Sequence, residues 1–244
     1  MNTINFENSF LQDTNKKYLN KKPFLVKLLG VLFYFVLFVF ICNIIFNFVF
    51  IKAQVVGISM MPTYNKNLDA VTVYDTTYYE NSVYKDIVFA NRFENGTNGD
   101  IILLNLNNEL VIKRIIAKEN QKVTLKLGNG YSDFTNFYYY IDDELIEENY
   151  IYSREHMDFS YFNRFCFDDS NRNFNVNIVL PNVEAEFVVP KNEVFVLGDN
   201  RLVSGDSVKF GTVNTSNIYG KVMFSYEYNQ NFFGFLWQKI CSIF

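Results

Sequence analysis

Histidine is almost missing from this chain: 244 residues contain one, His156. It sits beside Arg154 and Glu155 in a polar stretch with no serine motif nearby, so it reads as a loop residue and a Ser-His-Asp triad lacks its base. Cysteine is scarce as well. Cys42, Cys166 and Cys241 lie far apart and make no metal-ligand spacing, and three thiols allow at most one bridge, not a disulfide framework. A basic excess is also absent: the net charge of -4 and a pI near 5.1 exclude the electrostatic footprint of a nucleic-acid binder. Neither internal repeats nor long amphipathic helices are found. Aromatics are plentiful, with Phe 27 and Tyr 17, but Phe, Tyr, Asn, Ile and Lys share A/T-rich codons, and base composition accounts for them.

What the chain does have is a long apolar run from Leu28 to Ile51, broken by only two strongly polar residues, Asn43 and Asn47. Crossing the hydrocarbon of a bilayer takes about 20 residues, and this run is long enough. A signal-peptide core is shorter, about 7 to 15 residues, and needs a small-residue cleavage site, for which Lys52-Ala53-Gln54 is poor. The expectation is a transmembrane helix over 28–51 behind a cytoplasmic segment 1–27. Lys16, Lys17, Lys21, Lys22 and Lys27 precede the run and Lys52 alone follows closely, which puts the N-terminus in the cytoplasm and the remainder outside. The closing segment 232–244 is apolar and aromatic but too short to span alone; interfacial contact and a core-packing terminal element both fit it.

Between these lies 52–231, enough for one domain with a genuine core. Short β-type runs divided by turn signals cover Ala70 to Tyr74, Ile87 to Asn91, Ile101 to Leu106, Glu109 to Ala117, Phe137 to Ile141 and Glu144 to Ile146. They resume at Ala185 to Val189, Glu193 to Leu197 and Lys221 to Tyr226. Asn107-Asn108 and Asp142-Asp143 separate such runs as hairpin turns would. The domain reads as mainly β, with an irregular polar stretch from Ser153 to Asn177.

Chemistry is suggested at three places. Ser59-Met60-Met61-Pro62-Thr63 follows the apolar run closely enough that Ser59 lies within roughly 30 Å of a bilayer surface. A serine attacks a carbonyl only if a base takes its proton, and with histidine out of reach the alternative is lysine. Lys113, in Leu110-Val111-Ile112-Lys113-Arg114-Ile115-Ile116, shares a strand face with Val111 and Ile115. Periodicity alone leaves two readings open: a surface lysine on an edge strand, or a base whose pKa is lowered by apolar burial. The third place is Gly198-Asp199-Asn200-Arg201-Leu202-Val203-Ser204-Gly205-Asp206-Ser207, a polar loop behind the apolar strand Val194 to Leu197. Its acidic spacing does not fit an EF-hand and no other carboxylate cluster completes a site, so no metal and no cofactor is expected.

With all three in view, the chain resembles the type I signal peptidases, membrane-anchored Ser/Lys endopeptidases of the bacterial kind. Ser59 to Thr63 resembles the nucleophile box, Gly99-Asp100-Ile101-Ile102 the following strand, Ile112 to Ile116 the base box, and Gly198 to Ser207 with Gly211 the last box. Tyr140 to Ile151 is a softer match to the hairpin before the family's insertion and Val189 to Val196 to the strand leading to the last box, with inserted residues expected within about 118–187. The resemblance is weak from Lys118 to Asn136 and absent from Ser153 to about Ala185. It implies a β-sheet catalytic core with a small inserted subdomain, Ser59 as nucleophile, Lys113 as general base, and Ser204 orienting the lysine amine. Asp199 would pair with Arg114, and Asp206 would brace the loop. Where members commonly carry a basic residue two positions after Asp206, this chain has Val208, with Lys209 or Arg201 as substitutes. Gly57 stands where some relatives have a hydroxyl, so the Ser59 N–H is the oxyanion donor implied. Shallow apolar pockets for small substrate residues would be lined by Ile58 and Met60. The implied substrates are signal-peptide-bearing preproteins, cleaved beside membrane lipid through an acyl-enzyme without a cofactor. Two other readings stay open: a specialised processing peptidase for one or a few secreted or pilus-type proteins, and an inactive membrane-tethered peptide-binding module.

Overall fold

The computed structural model describes residues 3–65, 86–128, 136–151, 157–167, 172–179, 183–227 and 234. The strand expected at 70–74, His156, Cys241 and, apart from Gly234, the closing segment 232–244 lie outside these residues. Two compact units divide the chain, Met1–Val49 and Phe50–Phe244.

The first unit is the helix α1, Thr3–Val49. Its stretch Phe24–Val49 is long and apolar enough to cross a membrane, and Phe33, Phe35, Phe38 and Phe40 all stand more than half exposed around it. A helix apolar all round needs an apolar surrounding. Its two polar interruptions satisfy one another one turn apart: Asn47 Nδ2 donates to Asn43 O at 2.8 Å and to Asn43 Oδ1 at 3.0 Å, as any apolar surrounding would require. The helix ends two residues before the expected boundary. Phe50 and Ile51 leave it to pair with Asn91 and Ala90 in a sheet, where their backbone groups find ladder partners.

The second unit is built on two antiparallel sheets. The larger has seven strands in the order β1 (Phe50–Gln54), β2 (Ile87–Asn91), β12 (Ile218–Tyr226), β3 (Ile101–Leu106), β4 (Glu109–Lys118), β10 (Glu193–Leu197) and β11 (Val213–Asn214). The smaller orders β7 (Glu144–Leu145), β6 (Phe137–Ile141), β5 (Lys122–Leu127), β9 (Glu184–Val188) and β8 (Asn177–Val179). One hairpin in each sheet, β3 to β4 in the larger and β6 to β7 in the smaller, follows from side-chain chemistry. Asn107-Asn108 and Asp142-Asp143 all take positive φ, between 50° and 70°, which short polar side chains tolerate and two-residue hairpin turns demand.

The smaller sheet falls within the expected insertion, yet it is no separate body. Phe137, Tyr139 and Phe187 share one buried cluster with Phe195 and Leu197 of β10 and Val208, and the Phe187 and Phe195 rings meet at 5.1 Å. The stretch read as irregular contributes a helix, α2 (Phe159–Phe167), whose Tyr161, Phe162, Phe165 and Cys166 face that same cluster. Their spacing is helical, but nine residues between polar flanks make a weak signal. A second cluster places Met60 and Tyr64 of the serine segment on Val88, Ala90, Leu103 and Ile112. This packing sets the nucleophile's turn directly on the sheet.

Candidate active site

Ser59 and Lys113 are 54 residues apart in sequence and in hydrogen-bond contact in the fold. Lys113 Nζ donates to Ser59 Oγ at 2.9 Å and to the carbonyl of Ile112 at 3.0 Å. Lys113 is 4% exposed, because β4 is covered on both faces from Ile112 to Ala117. Burial lowers its pKa below the ordinary lysine value, against the smaller opposing pull of Asp206 and Asp199. A lysine in this setting can shed its proton and serve as a base.

The loop that follows β10 closes on the same point. Asn200 N–H donates to Ser59 O at 3.0 Å, tying the loop to the serine turn. Asp199 is fully buried and accepts both Arg114 Nε at 2.8 Å and Arg114 Nη2 at 2.6 Å. It also accepts the Thr63 hydroxyl. Arg114 Nη1 reaches Gly99 O at 2.7 Å, so one guanidinium joins the serine segment, the β3 entry and the loop. The pairing implied by the resemblance is thus present as a bidentate contact, and Thr63 is a partner the sequence did not suggest.

Asp206 is held by backbone rather than by a cation. Its carboxylate accepts Gly198 N–H at 3.1 Å and Val208 N–H at 3.2 Å, capping the short helix α3 (Ser207–Phe210). Burial raises its pKa, opposed by the Gly198 N–H, by the nearby Ser204 hydroxyl and by the charges of Lys113 and Arg201. Neither suggested substitute for a basic residue at 208 pairs with it: Lys209 is exposed, and Arg201 binds Glu148. Ser204 Oγ makes no hydrogen bond to Lys113 in this structure. Buried, it has no partner of regular geometry, although it lies close enough to Asp206 to favour the ionised form.

Gly198 stands between loop and nucleophile, and a Cβ there would fall well inside contact with Ser204 Oγ and Ser59 O. Gly198→Ala is therefore expected to lower kcat/KM about tenfold to a hundredfold by displacing the serine turn. Steady-state cleavage assays check this, and wild-type kinetics in a folded variant would contradict it.

A cavity of about 140 Å³ opens beside Ser59 and Lys113, lined by Ala53, Val55, Val56 and Leu110 to Ile112 among others. Ile58 and Met60 do not line it. Met60 is 1% exposed, drawn into the core beneath the turn, so the apolar lining comes from the segment before the serine and from the base strand. Strand β10 pairs with β4 only from Arg114 onward, which leaves the β4 edge at Glu109 to Lys113 without a strand partner there among the described residues. The Ser59 N–H donates to no backbone carbonyl among the described residues.

Residues 27–227 match the family model described as signal peptidase, peptidase S26. The chain is 31% identical over 183 residues to signal peptidase I of Bacillus caldolyticus, covering 73% of this chain and 80% of that protein. It is 30% identical over 141 residues to signal peptidase IB of Staphylococcus aureus, covering 55% of this chain and 64% of the relative. Among solved structures, a signal peptidase I from Enterococcus faecalis aligns at 22% identity with a TM-score of 0.32, over 52% of this chain and 97% of the other.

Proposed function

Since the chain belongs to the signal peptidase family, peptidase S26, and is a peptidase that cleaves signal peptides, we propose that Ser59 is its nucleophile and Lys113 its general base. The observation that carries this reading is the 2.9 Å contact between Lys113 Nζ and Ser59 Oγ, with the amine buried. Neutral Lys113 accepts the hydroxyl proton as Ser59 Oγ attacks the scissile carbonyl. It then passes that proton to the leaving amine, and a water deprotonated by Lys113 hydrolyses the acyl-enzyme. The Ser59 N–H stabilises the developing oxyanion.

Arg114 and Asp199 hold the loop against the serine segment, and Asp206 braces Gly198 behind the dyad. Ser204 touches the lysine amine once the side chains adjust to substrate. The preprotein adds as a strand along the free β4 edge at Glu109 to Lys113. Its small side chains before the cut enter the 140 Å³ cavity. The helix over Phe24–Val49 anchors the enzyme, and the lysines before it hold the N-terminus in the cytoplasm, so cleavage happens outside, beside lipid.

The test is cleavage of a signal-peptide-bearing preprotein by the purified full-length protein in detergent, run beside Ser59→Ala and read by N-terminal sequencing. The expected result is a cut after a small residue that disappears in Ser59→Ala. Undiminished cleavage by that variant would remove Ser59 from the mechanism.

A further inference from the structure

Beneath the catalytic loop lies an ion pair that the dyad chemistry does not use. The side chains of Glu148 and Arg201 are both fully buried, and the guanidinium donates through Nη1 to Glu148 Oε2 at 3.4 Å and through Nη2 to Oε1. Apolar side chains would fill such a place at least as stably, so the pair is explained by what else it holds. Arg201 Nε donates to Gly198 O at 3.0 Å, and Gly198 N–H is taken by Asp206 at 3.1 Å. The residue against which Ser59 O and Ser204 Oγ close is thereby clamped at both of its polar atoms.

The same hairpin end reaches the other cation of the site. Tyr150 OH donates to Glu148 Oε1 at 3.2 Å, and its ring lies 3.8 Å from the guanidinium carbon of Arg114, the partner of Asp199. Glu148 and Tyr150, on the stretch leading away from β7, therefore touch both arginines that flank the loop.

Resting on the Ser59–Lys113 reading, we propose that Glu148 is a positioning residue of this peptidase. Through Arg201 it fixes the Gly198 peptide, and with it the placement of Ser59 against Lys113 and the charge around the lysine amine. The groups concerned can be named. Lys113 faces Asp206 and Asp199, the latter neutralised by Arg114. Arg201 faces Glu148, Tyr161, Tyr139, Tyr150 and Asp206.

Glu148→Gln keeps the shape and removes the charge. Arg201 is then a buried cation without its paired carboxylate, with only the charge of Asp206 facing it, so the region becomes more positive and protonated Lys113 is disfavoured further. The acidic limb of the kcat/KM profile moves to lower pH. The loosened Gly198 peptide lowers kcat about tenfold or more, with KM within about twofold. A second variant, Glu148→Met with Arg201→Met, removes both charges. It unfolds no earlier than wild type but keeps the kcat defect, because Gly198 O has lost its donor.

The experiment measures kcat, KM, the pH profile and thermal unfolding of the full-length wild type and both variants in detergent, with a signal-peptide substrate and Ser59→Ala alongside. The proposal stands if the folded variants lose kcat and Glu148→Gln shifts the acidic limb downward. It is overturned if Glu148→Gln, below its unfolding temperature, keeps wild-type kcat and pH limb, or if the folded double variant has full kcat. Should Glu148→Gln not fold, the double variant decides by its kcat alone. A wild type that does not cleave, or a Ser59→Ala variant that does, overturns the dyad reading and this proposal with it.

Discussion

Lys113→Met is expected to lose about 10²- to 10⁴-fold in signal-peptide cleavage, the range a positioned general base contributes, and yet to unfold at a higher temperature than wild type. The two effects share one cause. Lys113 sits almost wholly out of water between core strands, where its charged form is disfavoured and its folded-state pKa is lowered. At pH values between the folded pKa and the unfolded value of about 10.4, the unfolded chain binds a proton that the folded chain does not. Stability therefore rises with pH through that window, and the penalty is fully present below the folded pKa. Methionine fills a similar volume without a charge to desolvate, so the penalty vanishes. Lys113→Arg separates chemistry from size: guanidinium cannot shed its proton at working pH, so this variant should be as inactive as Lys113→Met and less stable. Cleavage rates with unfolding curves near pH 7 and pH 10 check the set. Substantial turnover in Lys113→Arg would rule out the base assignment, and a Lys113→Met variant less stable than wild type at pH 7 would contradict the burial argument.

Asp199→Ala should destabilise the fold by about 3 to 5 kcal/mol, the cost of leaving one member of a buried ion pair alone. Asp199 is 1% exposed at its side chain and Arg114 is 11%, so the stranded guanidinium has little water to turn to. It keeps Gly99 O and the Tyr150 ring, but loses both bonds to the carboxylate, while Thr63 loses its acceptor. Activity should fall with stability, because the loop that Asp199 anchors also holds Asn200 against Ser59 O. Replacing Arg114 by methionine in the same molecule should recover part of the stability and little of the activity, and a double-mutant cycle in urea measures the coupling. An Asp199→Ala midpoint close to wild type would mean that the pair is not structurally important.

Much of this was legible from local signals. The apolar run announced a helix long and apolar enough to cross a membrane. The β2, β3, β6 and β10 boundaries followed from alternation and turn residues, with Asn107-Asn108 and Asp142-Asp143 as the hairpin turns. Ser59, Lys113 and the Gly198 loop stood out through their boxes. Other features were hidden for identifiable reasons. Phe50 and Ile51 continue the apolar run in composition, so nothing local says that they leave the helix to pair with β2. Met60 has the look of a pocket residue beside the serine, but a turn seated on the sheet aims it into the core. The helix α2 lay in a stretch whose overall polarity masked four apolar side chains at helical spacing.

The sequence by itself determined the long apolar helix, the mainly β class and the identity of the groups proposed to carry the reaction, because each rests on patterns within one short segment. Only the tertiary structure decided that the Lys113 amine lies on Ser59 Oγ and out of water, that backbone N–H groups hold Asp206 where an apolar Val208 side chain offers no charge, and that Arg201 turns to Glu148. The first and the last of these join residues 54 and 53 positions apart. Their energies depend on desolvation and approach distance, which exist only once the two sheets have packed.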